Sequence, residues 1–172
     1  MNDTILADWQ LRALLQSHPP LVEALLDADI QVQPCGVDLT VRQVSTFARA
    51  GSVDFDNSGR VIPDRQPLEW TDGWIHLPVG SYHVIYNEVV NLPADIMALA
   101  YPRSTLLRCG ATVYTAVWDP GYSGRAEALL EVQNPHGLRL SRGARIVQLV
   151  FTRLQHPVES TYSGRFRGEN TL

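Results

Sequence analysis

Ala111-Thr-Val-Tyr-Thr-Ala-Val-Trp118, then Asp119-Pro-Gly-Tyr-Ser-Gly124, then Ala126-Glu-Ala-Leu-Leu-Glu-Val-Gln133: this stretch decides the fold. Val113 to Trp118 is rich in β-branched and aromatic residues, which suit a half-buried pleated surface. Pro120 presets its own φ and Gly121 tolerates the left-handed region, so the middle segment turns the chain. Ser123 and Gly124 loosen the backbone again before a second apolar run. The expectation is a hairpin whose tip can fold over a ligand.

The same texture extends on both sides. Leu39–Val44, Trp74–Leu77, Ser81–Tyr86, Ile96–Ala100 and Ala144–Leu154 read as further short strands. Asn57-Ser-Gly59, Asp72-Gly73, Pro78-Val-Gly80, Pro93 and Pro135-His-Gly137 separate them as turn signals. No helical pattern is long enough to supply crossovers for a parallel sheet. The predicted fold is therefore mainly β, a distorted jelly roll or barrel, in one domain spanning 1–172. Residues 1–29 read as a helical N-terminal segment. Leu6, Trp9, Ala13 and Leu14 give a helical spacing over Ile5–Gln16, with Asp3 or Thr4 as cap and His18-Pro-Pro as stop. Pro20 is placed to open a second short helix through Leu21, Leu25 and Leu26, ending near Asp29. Ala50–Trp70, rich in Asp and Asn, reads as a surface excursion, because its acidic spacing is not that of a calcium loop.

Composition narrows the class. A chain of 172 residues with 45% hydrophobic content and net charge -4 suits a soluble globular domain. Mild acidity argues against a general nucleic-acid binder, no apolar run reaches a membrane span, and Met1-Asn-Asp-Thr lacks the basic start of a signal peptide. These features predict a cytoplasmic protein with neither a nucleic-acid nor a membrane partner. Cys35 and Cys109 are expected to be reduced, buried, inert thiols. The five histidines are scattered, which disfavours a His/Cys zinc site. All 14 basic residues are arginine, so any charged phosphate contact must be a guanidinium.

Several residues carry chemistry on their own account. Arg103, Ser104 and Arg108 are donors suited to phosphate oxygens, and Ser104-Thr105-Leu-Leu-Arg108 is compatible with a short helix whose first amides also face an anion. Asp119 in its turn and Glu131 at the end of an apolar run are candidate proton acceptors. Glu127 and Glu131 are four apart and share a strand face. Gln148, inside the apolar Arg145–Val150 run, needs a partner if buried. Together these suggest a phosphorylated small molecule.

Pro102-Arg-Ser-Thr105 followed by Ala116-Val-Trp-Asp-Pro-Gly-Tyr122 resembles two motifs of the dUTPase and dCTP deaminase superfamily. Gln33-Pro-Cys-Gly-Val-Asp-Leu39, Arg142-Gly-Ala-Arg-Ile-Val-Gln-Leu-Val-Phe151 and Tyr162-Ser-Gly-Arg-Phe-Arg-Gly-Glu169 agree in order and spacing, so the resemblance spans roughly residues 30–170. It is most like the archaeal type of dUTPase on the dCTP deaminase branch. It implies hydrolysis of dUTP to dUMP and pyrophosphate, with dCTP deamination, alone or combined, as the alternative, and a non-catalytic nucleotide-binding regulator as the third. It implies that Asp119 activates the attacking water and that Glu131 falls where deaminases carry their catalytic Glu. Gly124–Asn134 is two residues longer than the usual spacing, which predicts a bulge and leaves Glu127 and Glu131 as rivals for the pocket.

By the same resemblance, Arg103, Ser104, Thr105, Arg108 and Gln148 hold phosphates, and the hairpin backbone up to Ala116 reads the pyrimidine edge. Tyr122 lies under the deoxyribose, where it leaves no room for a 2′-hydroxyl, and Asp38 supports the phosphate motif from behind. The tail, 160–172, becomes a mobile flap, with Phe166 over the base and Tyr162, Arg165 and Arg167 closing on the triphosphate. Mg²⁺ is held mainly by substrate phosphates and water, with no direct protein ligand, and the sites lie at the interfaces of a homotrimer.

Overall fold

The computed structural model describes residues 4–171. Its main sheet is antiparallel and runs Ile96–Pro102, Arg145–Arg153, Gly36–Phe47, Gly80–Tyr86, Glu127–Val132, Ala111–Tyr114 in spatial order. The two ends of that order approach each other. Ala98 and Trp118 exchange both backbone hydrogen bonds at 3.0 Å, so the chain leaving the last strand pairs with the first. The result is a nearly closed barrel, and closure removes the exposed edges that an open sheet would leave.

Inside sit Val37, Leu39, Val41, Val84, Leu130, Val147, Leu149 and Phe151, all buried. Their period-2 placement on neighbouring strands builds the core. Trp74–Leu77 shows the same alternation, with Ile75 and Leu77 buried and Trp74 and His76 exposed. Asp38 and Thr40 are buried as well, because a second layer covers the other face of Gly36–Phe47. Glu88 is part of that layer: its carboxylate accepts from Gln31 Nε2 (2.7 Å), Thr40 Oγ1 (2.6 Å) and Thr40 N (2.9 Å). Burial raises its pKa, opposed by those donors.

Three expectations change. The first helix is shorter, Asp8–Leu14, and Ala7 stands at its N-cap, with Ala7 N donating to Gln10 Oε1 at 2.9 Å. Asp3 lies outside the described residues, and Thr4 precedes the helix by several residues. The second helix, from Pro20 to Asp29, does not form. Leu21 and Val22 are both buried in succession, which suits an edge strand, and Val22–Glu23 pairs with Val89–Val90. The helix comes later, Ala28–Gln31, where Asp27 accepts from the amides of Asp29 and Ile30. The cysteines are exposed instead of buried. Cys35 sits in the turn into Gly36, and Cys109 ends the helix Ser104–Arg108.

The predicted hairpin is present but opened. Ala111–Tyr114 pairs with Leu129–Val132, and between them Thr115–Ala126 forms a long excursion rather than a tight tip. Its Ser123–Gly124 pairs with Val90–Asn91. The bulge lies just past the strand: Gln133 N and Asn134 N both donate to Gly110 O, at 2.9 and 3.0 Å. Glu127–Val132 therefore keeps an unbroken register with Gly80–Ile85.

Candidate active site

The excursion carries Asp119 and Tyr122, two of the expected site residues. Asp119 O accepts from Tyr122 N at 3.0 Å, and Gly121 takes φ 89, as position three of a type II turn requires. A Cβ on Gly121 would sit 2.5 Å from Thr161 Cβ, so the turn packs directly on the tail. The turn leaves Asp119 exposed, while Tyr122 is buried beneath it. A cavity of about 340 Å³ opens between the two, walled by Ala116–Trp118, Glu127 and the tail residues Tyr162, Phe166 and Glu169. Arg60, from the acidic excursion, lies 5.8 Å above the Phe166 ring.

Glu127, not Glu131, faces this cavity. Arg65 grips it with both guanidinium nitrogens, Nη1 to Oε1 at 2.7 Å and Nη2 to Oε2 at 2.6 Å. His83 Nε2 lies 3.0 Å from Oε2, and Asn170 Nδ2 donates to Oε1 at 3.1 Å. Burial alone would raise the carboxyl, but the donors from His83, Arg65 and Asn170 outweigh it and hold its pKa at about 2. Glu131 is four residues further along the same strand, opposite Ser81, whose hydroxyl donates to it at 2.6 Å. Glu131, expected as a catalytic residue, lies outside the cavity of its own chain. The two carboxylates share a face, and what separates them is how far the cavity extends along it.

The tail brings a residue that sequence reasoning passed over. Glu169 Oε1 accepts the Tyr122 hydroxyl at 2.8 Å. Burial and the neighbouring charge of Glu127 push its carboxyl up to about 7, against the lowering effect of the Tyr122 bond and of Arg65. Tyr122 is itself pushed up, by burial first and then by Glu169. The signal was present, since Glu169 closes the Tyr162–Glu169 motif, but nothing in the spacing tied it to Tyr122.

The residues expected to hold phosphate lie apart from this cavity. Asp38 is buried and pairs with Arg103 Nε at 3.0 Å and Arg145 Nη1 at 3.1 Å. Burial lifts its pKa above the ordinary carboxylate value, and the two arginines pull it back only in part. Ser104, Thr105 and Arg108 are exposed on the helix that follows. Gln148 lies between Asp38 and Tyr101 in register, against Gly36, where a Cβ would meet its Nε2 at 3.1 Å. None of these lines the cavity that holds Asp119 and Tyr122. Arg167 borders a different hollow of about 550 Å³, beside His18 and Asn91, and Arg165 is exposed and lines neither. Among the described residues no three His, Cys, Asp or Glu side chains gather into a metal cage, and no helix is long and apolar enough to cross a membrane.

The nearly closed barrel, with an arginine-serine helix and an Asp-Pro-Gly-Tyr excursion, is the architecture of a nucleotide-handling class. The chain belongs to the dCTP deaminase-like family, whose sequence profile matches residues 5–154. It is 52% identical over 168 residues to a protein of Methanosarcina mazei named probable deoxyuridine 5′-triphosphate nucleotidohydrolase, covering 97% of this chain and 98% of that one. It is 49% identical over 166 residues to a protein of the same name from Archaeoglobus fulgidus, covering 96% and 97%. A solved 2′-deoxycytidine 5′-triphosphate deaminase from Agrobacterium tumefaciens superposes with TM-score 0.68 at 28% identity. That match covers 91% of this chain and 50% of the deaminase chain.

Proposed function

We propose that this enzyme hydrolyses dUTP to dUMP and pyrophosphate. The observation that carries the choice is the state of Glu127. Deamination needs a carboxyl that takes up and returns protons beside the base, with a pKa near the working pH. A carboxylate gripped by Arg65 and His83 and held at about 2 is a poor shuttle. Glu131 accepts the Ser81 hydroxyl and lies outside the cavity of its own chain. Hydrolysis asks nothing of either: the exposed Asp119 takes the proton of a water whose oxygen attacks the α-phosphorus. The bond from that phosphorus to the bridging oxygen breaks, and pyrophosphate leaves. The names of the archaeal relatives support the same reading.

Arg103, Ser104, Thr105, Arg108 and Gln148 take up the charge on the phosphates. Since none of them lines the cavity of their own chain, a homotrimer is the natural assembly, one subunit's donors completing another's pocket. Mg²⁺ suits such a site when it arrives with the triphosphate. The donors here are cationic, hydroxyl or amide groups fit for phosphate oxygens, and the ion would neutralise the charge that builds on those oxygens. The test is incubation with dUTP and with dCTP plus Mg²⁺, assaying pyrophosphate and ammonia separately. Pyrophosphate from dUTP without ammonia from dCTP is expected; ammonia release would return the reading to a deaminase.

A further inference from the structure

The last residues of the chain form a clasp on the excursion. Gly168 N donates to Ser123 O at 2.6 Å, and Arg125 N donates to Glu169 O at 3.0 Å. Arg125 Nη1 reaches Asn170 O at 2.8 Å, while Asn170 Nδ2 returns to Arg125 O at 3.0 Å. Gly124 leaves the space that this approach needs, because a Cβ there would meet Glu169 N, Glu169 O and the Tyr122 hydroxyl, each at 3.1 Å. At the centre of the clasp, one side chain of the tail touches one side chain of the pocket: Tyr122 donates to Glu169.

We propose that Glu169 is a positioning residue for sugar selection: by accepting the Tyr122 hydroxyl it fixes that ring as the floor of the sugar pocket. The inference rests on the nucleotide reading above, in which Tyr122 lies beneath the deoxyribose. A tyrosine ring turns about two side-chain bonds. The neighbouring ring, Tyr162, packs against it at 6.0 Å, inclined by 57°. The hydrogen bond to Glu169 is what fixes the far, hydroxyl end of the ring. Excluding a 2′-hydroxyl is a matter of about an ångström, the scale on which a misplaced group costs orders of magnitude. Glu127 has partners of its own in Arg65 and Asn170, with His83 beside it. The same bond also ties the tail down, so a pocket with its tail undocked selects its sugar poorly.

The test compares full-length wild type with Glu169→Ala, Glu169→Gln, Tyr122→Phe and the Ala/Phe double variant. Calorimetry measures binding of dUMP against UMP, and of dCMP against CMP, so sugar selection is read whichever base the protein prefers. Trypsin cleavage after Arg165 and Arg167, both exposed, reads tail docking without any nucleotide. Glu169→Ala and Tyr122→Phe are each expected to lower the deoxy-to-ribo affinity ratio by roughly tenfold and to speed tail cleavage, with the double variant no worse than either. Glu169→Gln keeps an acceptor oxygen and is expected to keep the wild-type ratio. Should Glu169→Ala leave the ratio unchanged for both bases, the positioning role is overturned, whatever trypsin shows. If the wild type hydrolyses no dUTP while the ratio still collapses in Glu169→Ala, the hydrolase reading fails and the positioning role stands.

Discussion

Glu127→Gln probes a charge held by several partners. The substitution keeps the side chain's shape but removes the charge that Arg65 grips at 2.6 and 2.7 Å and that His83 approaches at 3.0 Å. A carboxyl held at about 2 in the folded chain, against an ordinary value of 4.5, stabilises the fold by at most about 3 kcal/mol. The pKa is lowered, so the contribution is fully present above pH 4.5 and drains away as pH falls through about 2. Glutamine leaves Arg65 and the buried His83 facing an amide oxygen and an amide nitrogen, one of which is the wrong partner. A loss on the order of 2–3 kcal/mol at pH 7 follows, which lowers Tm by roughly 5–10 °C in a domain of this size. Scanning calorimetry at pH 7, repeated between pH 4.5 and 2.5, separates the cases. The wild type should lose stability over the acid range faster than the variant does. Equal Tm at pH 7 together with equal acid slopes would show that the fork is a solvent-screened pair, and the argument against Glu127 as proton shuttle would fall with it.

Asp119→Asn should lower pyrophosphate release from dUTP by at least about a hundredfold while nucleotide affinity is roughly kept, because the phosphate donors are untouched. Turnover at the wild-type rate would remove Asp119 from the mechanism. Asp38→Asn should change Tm little, since burial already disfavours that charge, yet raise KM for the triphosphate about tenfold by releasing Arg103; steady-state kinetics beside a melting curve decides it. Light scattering should show a trimer, and a fully active monomer would refute shared sites. Stability should also decline as pH rises through about 7, because the raised Glu169 carboxyl contributes fully only below 4.5, and Glu169→Gln should flatten that part of the profile.

Much of the barrel was legible because its strands carry their pattern locally. Trp74–Leu77 alternates over four residues and formed as expected, and Ile96–Pro102 and Arg145–Arg153 differ from expectation only at their ends. Val22–Glu23, Val89–Asn91 and Leu138–Ser141 were missed for the complementary reason. Strands of two to four residues hold too little periodicity to announce themselves, and exist because a remote partner supplies their hydrogen bonds. Leu21–Leu26 shows the cost of reading apolar spacing alone: a helix-compatible pattern became an edge strand once Val89–Val90 was available to pair.

The sequence by itself determined the β architecture, the family and the residue types of the site, because alternation, turn chemistry and motif spacing are all short-range properties. It also singled out Asp38, which the structure pairs with Arg103. It could not choose between Glu127 and Glu131, which are equivalent on one strand face. Only the tertiary structure gives them different partners, by setting Arg65 and His83 against the first and Ser81 against the second. It also decided that Glu169 meets Tyr122 across 47 residues of chain. A carboxylate's pKa and its partners depend on what folding brings within a few ångströms, and that distance is not written in the order of the residues.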